Sequence, residues 1–261
     1  MYPYDIFPGM DLYGIFLCVA VLAALISFRL CADHLKFKAK LQNFCMVTGI
    51  AAIVVGYFSA ILFQAFYNIG KYGEFRIDTS TGATFYGGLI GGALSFLIIY
   101  FGIGHFLFRE DRDHMRKFWH LADAAAISIS LAHAFGRIGC LMAGCCHGAV
   151  TDKWYGIYMV SAQSRVVPIQ LFEAIILFAI AGFCLWRLWK GQRDNLPLYM
   201  IVYGVWRFFI EYARTDYRGT TFLSFLTPSQ LTALVMIVGG IAVLIVRRMR
   251  FAEKNDDERV G

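Results

Sequence analysis

Arg137, Glu173, Arg207, Glu211 and Arg214 all fall inside or at the rim of long apolar runs, where an ionisable side chain is costly and marks function by default. Arg207 and Glu211 are four residues apart and so share one helix face, and His133 stands in the same relation to Arg137. Two or three guanidinium groups at one membrane depth suit a phosphate, whose oxygens take paired N–H donors. A phospholipid headgroup is the phosphate available there, and an arginine pair would also stabilise charge on a phosphate leaving group. The competing reading is that these groups pair, Arg207 with Glu211 for instance, and merely hold helices together. That reading is weaker for the group than for any one member, because all six residues fall on one side of the membrane once loop charges fix the topology.

A second constellation lies in GRIGCLMAGCCHG, residues 136–148, which carries Arg137, Cys140, Cys145, Cys146 and His147 between Gly136, Gly139, Gly144 and Gly148. The glycines predict an irregular re-entrant stretch, which is tolerated at membrane depth only against protein or a water-filled cavity. Three readings of the cysteines stay open. They could ligate a metal, although C-x4-C-C-H is not the usual zinc spacing. Cys140 could form a disulfide with Cys145 or Cys146 on an oxidising face. They could simply pack against the glycines. Cys18, Cys31, Cys45 and Cys184 are scattered and read as packing. In FYGGLIGG, Gly87 and Gly91, and Gly88 and Gly92, have the small-xxx-small spacing of close helix contacts, and the bare helix start there could receive an anion.

The elements that must position these groups are membrane spans. Of the 261 residues 59% are apolar and only 16% charged, against about 25% charged in soluble domains. Seven runs are long enough to cross the hydrocarbon: about 12–32, 44–66, 85–108, 121–141, 169–189, 196–212 and 229–249. They predict an all-α, polytopic membrane protein with seven transmembrane helices and one transmembrane domain over 1–261. The net charge of +6 raises nucleic acid as a partner, but its distribution excludes that and sets topology instead. Lys and Arg concentrate after the first, third, fifth and seventh runs, whereas the opposite loops hold Lys71, Arg76, Lys153, Arg165, Arg214 and Arg218. The positive-inside rule then puts the N-terminus outside and the C-terminus in the cytoplasm.

The N-terminal segment lacks the basic region of a cleavable signal, so the first helix is expected to stay in the mature protein, with Tyr2, Tyr4 and Phe7 as interfacial aromatics. Asp123 reads as an acid at the start of the fourth helix, complementing its dipole. The charged tail, about 250–261, is expected to fray.

Taken in order, these segments resemble the prolipoprotein diacylglyceryl transferases, seven-span enzymes of the bacterial cytoplasmic membrane. Leu12-Tyr13-Gly14 is similar to the family's WYG segment, FYGGLIGG to its HGGLIGG, and residues 136–148 stand where it has GRIGNFINGE and a following glycine. Residues 168–173, PIQLFE, resemble its HPTQLYE; YGVWRFFIEYAR, 203–214, its R-x-x-x-E-x-x-R helix; and LTPSQL, 226–231, the start of its last helix. The resemblance implies transfer of a diacylglyceryl group from phosphatidylglycerol, or another anionic phospholipid, to a prolipoprotein cysteine, with a thioether formed and glycerol phosphate released. It implies a site facing the periplasmic side and no metal or organic cofactor.

Carried over by position, Arg137 and Arg207 bind or stabilise the phosphate, Glu211 orients Arg207, Tyr13 contacts the headgroup and Gly148 shapes the cavity. Gly87, Gly88, Gln170, Glu173 and Arg214 fall in the same motifs as candidate substrate contacts. The departures lie on the acceptor side. Tyr86 replaces the family's histidine, a candidate base, and a free tyrosine has a pKa of about 10. Cys140 replaces an asparagine and Cys145 an acidic residue, both kept as candidate substrate contacts. His147 or His133 is the candidate substitute base. The alternatives are a divergent enzyme on the same fold with another acceptor or cysteine-based chemistry, and a non-enzymatic lipid-binding or transport protein.

Overall fold

The computed structural model describes residues 5–7, 10–73, 75, 77, 84–214 and 225–260. Tyr2, Tyr4, Arg76 and Arg218 lie outside the described residues, as do the side chains of Phe7, Lys71, Arg250, Lys254 and Arg259. The described residues form seven α-helices: α1 Leu12–His34, α2 Ala39–Tyr72, α3 Phe85–Leu107, α4 Asp113–Ala143, α5 Ile169–Trp189, α6 Asn195–Ile210 and α7 Pro228–Val260. Two short antiparallel hairpins accompany them, β1 Asp5–Phe7 with β2 Met10–Asp11, and β3 Ile157–Met159 with β4 Ser164–Val166. Among the described residues, six helices are long and apolar enough to cross a membrane. Large apolar side chains such as Leu22, Ile98 and Val235 stand exposed on them. Such faces are stable against hydrocarbon and not against water, so this is a multi-pass membrane protein.

The helices differ from the expected runs mainly at their ends, where polar residues with good helical propensity continue a helix that hydropathy alone stops. α2 extends the run 44–66 at both ends to 34 residues, about 50 Å, and stops only at Gly73, whose φ of +78° suits glycine. α6 is shorter, with 16 residues or about 24 Å, and tightens into a 3-10 turn, Glu211–Ala213. It is the one predicted span that falls short of membrane length. α7 carries the expected frayed tail on as helix to Val260.

Helix α4 begins at Asp113, so Asp123 sits ten residues inside it and does not complement its start. Its carboxylate instead caps a different helix. Oδ1 accepts the backbone N–H groups of Asn195 at 2.9 Å and Leu196 at 3.2 Å, and Oδ2 that of Asp194 at 3.3 Å, the first donors of α6. Arg247 of α7 closes the arrangement with two bonds of 2.9 Å to the same carboxylate.

Two compact units make up the chain, residues 1–31 with 120–261, and residues 32–119. In the second, α2 and α3 meet through glycine. A methyl group on Gly56 would stand 2.9 Å from the Gly88 carbonyl oxygen, and one on Gly87 2.6 Å from Phe63 Cβ. Close packing is therefore what FYGGLIGG does within this unit. In the first unit, α6 and α7 approach the same way, with Gly204 against the Ala233 carbonyl and Gly240 against that of Pro197.

Candidate active site

The first unit gathers the predicted charges. Glu173, one turn into α5 and fully buried, stands between three arginines, one on α4, one on α6 and one just beyond the turn that follows α6. Its Oε2 lies 3.1 Å from Arg137 Nε on α4 and 4.0 Å from Arg214 Nη1, and its Oε1 lies 3.3 Å from Arg207 Nη1 on α6. Glu211 takes the other side of the set, 2.8 Å from Arg207 Nη2 and 3.9 Å from Arg214 Nε. Because α6 ends at Ile210, Glu211 and Arg214 occupy the 3-10 turn and the extended residue after it, which swings Arg214 back toward Glu173.

The start of α7 locks onto this cluster, and its sequence explains why. Thr227 Oγ1 accepts the Gln230 N–H while Gln230 Oε1 accepts the Thr227 N–H, a reciprocal capping box with Pro228 at the first helical position. The cap presents two hydroxyls. Thr227 donates to Glu211 Oε1 at 3.0 Å, and Ser229 Oγ accepts Arg207 Nη2 at 2.8 Å. Tyr203, four residues before Arg207 on the same face, places its hydroxyl 3.4 Å from both Glu173 Oε1 and His133 Nε2. Tyr203, Thr227 and Ser229 stand in the motifs of residues 203–214 and 226–231 without being predicted site residues. The i, i+4 spacing of Tyr203 and Arg207 was the available signal.

The cysteine segment departs from expectation. Residues 136–143 stay helical, and the irregular backbone starts only at Gly144, with φ +71°, followed by Cys146 at +62°. A glycine inside a helix is weakly destabilising, but Gly139 is compensated by packing: a methyl group there would meet Tyr13 Cδ2 at 3.2 Å and Phe16 Cβ at 3.3 Å. This contact carries Tyr13, at the start of α1, to the Cys140 end of α4. Asp11 fixes that start by accepting the Gly14 N–H at 2.7 Å.

All three cysteines are free thiols, and their sulfurs lie within 4.8 Å of one another. Hydrogen bonds from Cys140 and Cys145 hold the Cys146 thiol well below its usual range, with Arg214 and Arg137 adding to the effect, while hydrogen bonding with Cys140 and Cys146 pushes Cys145 up. Of the remaining cysteines Cys31, Cys45 and Cys184 are buried, as packing requires, but Cys18 is exposed on α1.

Beyond Cys146 the chain returns along the hairpin to α5. His147 Nδ1 lies 3.0 Å from the Gly148 carbonyl oxygen, which can only accept, so Nδ1 holds the proton and Nε2 is the basic nitrogen. Gly148 is bridged to Arg214 in antiparallel pairing, and a methyl group on it would stand 2.6 Å from Ile169 Cδ1 and 2.7 Å from the Ala213 carbonyl oxygen. The absent Cβ is what lets Arg214 approach. Gln170, buried at the start of α5, donates its amide to the Cys145 carbonyl. Tyr13, Arg137, Cys140, Cys145, His147, Gly148, Gln170, Glu173, Arg207, Glu211 and Arg214 thus all belong to the first unit, whereas Tyr86, Gly87 and Gly88 stand in the first turn of α3 in the second.

The profile of the family described as prolipoprotein diacylglyceryl transferase matches residues 6–246. A phosphatidylglycerol–prolipoprotein diacylglyceryl transferase 2 of Clostridium perfringens is 29% identical over 249 residues, covering 91% of either chain. The Clostridium tetani transferase is 30% identical over 91% of this chain and 93% of its own, and that of Chlorobaculum tepidum 29% identical over 93% and 86%. With the profile spanning nearly its whole length, the chain belongs to the prolipoprotein diacylglyceryl transferase family.

Proposed function

We propose that this protein moves the diacylglyceryl group of phosphatidylglycerol onto a cysteine thiol of a prolipoprotein, at the outer side of a bacterial cytoplasmic membrane. The observation that carries the proposal is the charge of the Glu173 cluster. Arg137, Arg207 and Arg214 converge on the carboxylates of Glu173 and Glu211, which gathers three guanidinium groups into one place at a depth where charge is costly and where an anionic headgroup is their complement. Arg137 is its natural contact: its side chain is 14% exposed while that of Glu173 is wholly buried.

In the reaction the thiol sulfur forms a bond to the glycerol carbon that bears the phosphate, and the C–O bond breaks. Glycerol phosphate leaves with the electron pair. Negative charge grows on that phosphate, where Arg137 and Arg207 stabilise it from fixed positions. Glu173, Glu211 and Ser229 hold the arginines against reorientation, Arg214 completes the positive wall, and Tyr13 meets the headgroup beside Cys140. The thiol must lose its proton, and His147 accepts it through Nε2, the task that the resemblance gives to the position of Tyr86. Gly87, Gly88 and Gln170 serve as substrate contacts through the motifs that contain them.

The replacement of the family's asparagine and acidic residue by Cys140 and Cys145 favours a second reading, in which the headgroup is kept and the acceptor differs. Purified protein incubated with phosphatidylglycerol and a peptide bearing a lipobox cysteine separates the two. A diacylglyceryl adduct on that cysteine by mass spectrometry, lost in Arg137→Ala, is the expected result. No adduct from folded protein transfers the proposal to another acceptor, and saturable lipid binding without any product makes the chain a lipid-binding or transport protein.

A further inference from the structure

Cys140, Cys145 and Cys146 come from two kinds of backbone, the last turn of α4 and the bend that follows it, yet their sulfurs converge within 4.8 Å of one another. Neighbouring residues in extended chain point apart. The positive φ of Cys146, in a region that non-glycine residues rarely adopt, breaks that alternation and turns two successive sulfurs toward Cys140. The bend is held from several directions. Cys145 N–H donates to the Cys140 carbonyl at 3.1 Å, Gly144 N–H to Leu141 at 3.2 Å, and Gly148 N–H to Val167 at 2.9 Å. The Ser161 hydroxyl also donates to the Gly144 carbonyl, and the Gln170 amide to the Cys145 carbonyl.

From this arrangement we propose that Cys140, Cys145 and Cys146 form a three-thiolate site for a soft, closed-shell metal cation, with one coordination position open. Metal–sulfur bonds of about 2.3 Å put the sulfurs of a trigonal or tetrahedral site about 3.8–4.0 Å apart, so small side-chain rotations complete the site from the observed spacing. The donor set is sulfur alone, since among the described residues the ligand atoms that converge here are the three sulfurs, and sulfur selects thiophilic ions over magnesium or calcium. Cys145 is exposed, which gives an ion a way in. Binding releases to solvent the protons that the three cysteines still hold and oxidises nothing. A divalent ion leaves one negative charge on the site, and Arg137, one turn earlier on α4, offsets it. The site rests on the three sulfurs and not on the transferase reading, and it extends that reading with a group that the family resemblance does not imply.

Cadmium alone tests this on the full chain in detergent, reduced and then freed of reductant without oxygen. The expected result is an ultraviolet thiolate-to-metal charge-transfer band that saturates at one ion per chain. Each of Cys140→Ser, Cys145→Ser and Cys146→Ser should weaken binding by more than about tenfold, the lower end of what losing even an outer-sphere partner costs a metal site. Cys18→Ser should leave it unchanged. Should a variant misfold, residue-resolved alkylation of the unsubstituted chain decides: cadmium should protect Cys140, Cys145 and Cys146 together and leave Cys18 reactive. Absence of the band, a band that survives the three substitutions combined, or protection centred on other cysteines overturns the site. So does a Cys140–Cys145 or Cys140–Cys146 disulfide that re-forms in the presence of the ion. None of these readouts depends on lipid transfer.

Discussion

Glu173 Oε2 lies 3.1 Å from Arg137 Nε as an ion pair, and does so from a position with no exposure at all. A carboxylate this deep is stable only because it is surrounded by positive charge, and the arginines are stable at that depth only because it is there. The pair therefore belongs to the fold and the site at once.

Glu173→Gln keeps the shape and one acceptor oxygen but removes the charge that three guanidinium groups share. Breaking a buried ion pair by deleting one partner costs about 3–5 kcal/mol, so this variant should lose several degrees of thermal stability in detergent as well as its transfer activity. Activity lost at unchanged unfolding temperature would assign Glu173 to substrate contact alone.

Arg207 divides its guanidinium, Nη1 donating to Glu173 and Nη2 donating to Ser229 while lying 2.8 Å from Glu211 Oε2. A lysine cannot span these directions from one point charge. Arg207→Lys should therefore fall nearly as far as Arg207→Ala, about 100-fold or more in turnover if the residue meets the leaving phosphate. A lysine variant with near-normal turnover would mean that only net charge is needed there. Steady-state transfer with phosphatidylglycerol varied distinguishes the two.

Much of this was legible in the sequence. Apolar runs located all seven helices, because hydropathy and length are what a bilayer selects. The depth of Arg137, Glu173, Arg207 and Glu211 within those runs marked them before any contact was known. What hydropathy does not carry is the fate of helix ends. Asp123 read as a cap for its own helix because the start of α4 was placed eight residues late, and its real task, capping α6 with Arg247, is a long-range pairing that no local spacing encodes. The glycines of residues 136–143 predicted irregular backbone, whereas Gly139 serves contact with Tyr13 inside a regular helix. The capping box of Thr227 and Gln230 was readable as a pattern, but its hydroxyl contacts to Glu211 and Arg207 appear only once α6 and α7 are packed.

Gly148→Ala should damage the site without touching a charged residue. The new methyl group would meet the Ala213 carbonyl at 2.7 Å, and backbone cannot step aside as a side chain can. Arg214, bridged to this glycine, should be displaced from Glu173 and Glu211, lowering activity more than stability. Trimming the other clash with Ile169→Val should not restore activity, because the backbone contact remains. Rescue by that second substitution would show that side-chain crowding alone sets the requirement for glycine.

Asp123→Asn should do the reverse, lowering stability and sparing chemistry. The cap it forms lies at the first residues of α6, twelve residues before Arg207 and so about 18 Å along the helix. Asparagine can still accept one backbone N–H, but the nearly fully buried Arg247 guanidinium would lose the carboxylate that takes two of its donors, while keeping Asp194, 2.9 Å from its Nε. A loss of about 3 kcal/mol is expected from breaking this buried pair. Removing both charges in Asp123→Asn with Arg247→Met should cost less than the sum of the single changes, since the apolar side chain leaves no cation to compensate. Thermal unfolding of the four proteins measures that coupling, and transfer activity per folded molecule should stay constant across them. If activity falls in step with the broken pair while the proteins remain folded, the α6 start is coupled to the Arg207 end and the two clusters act together.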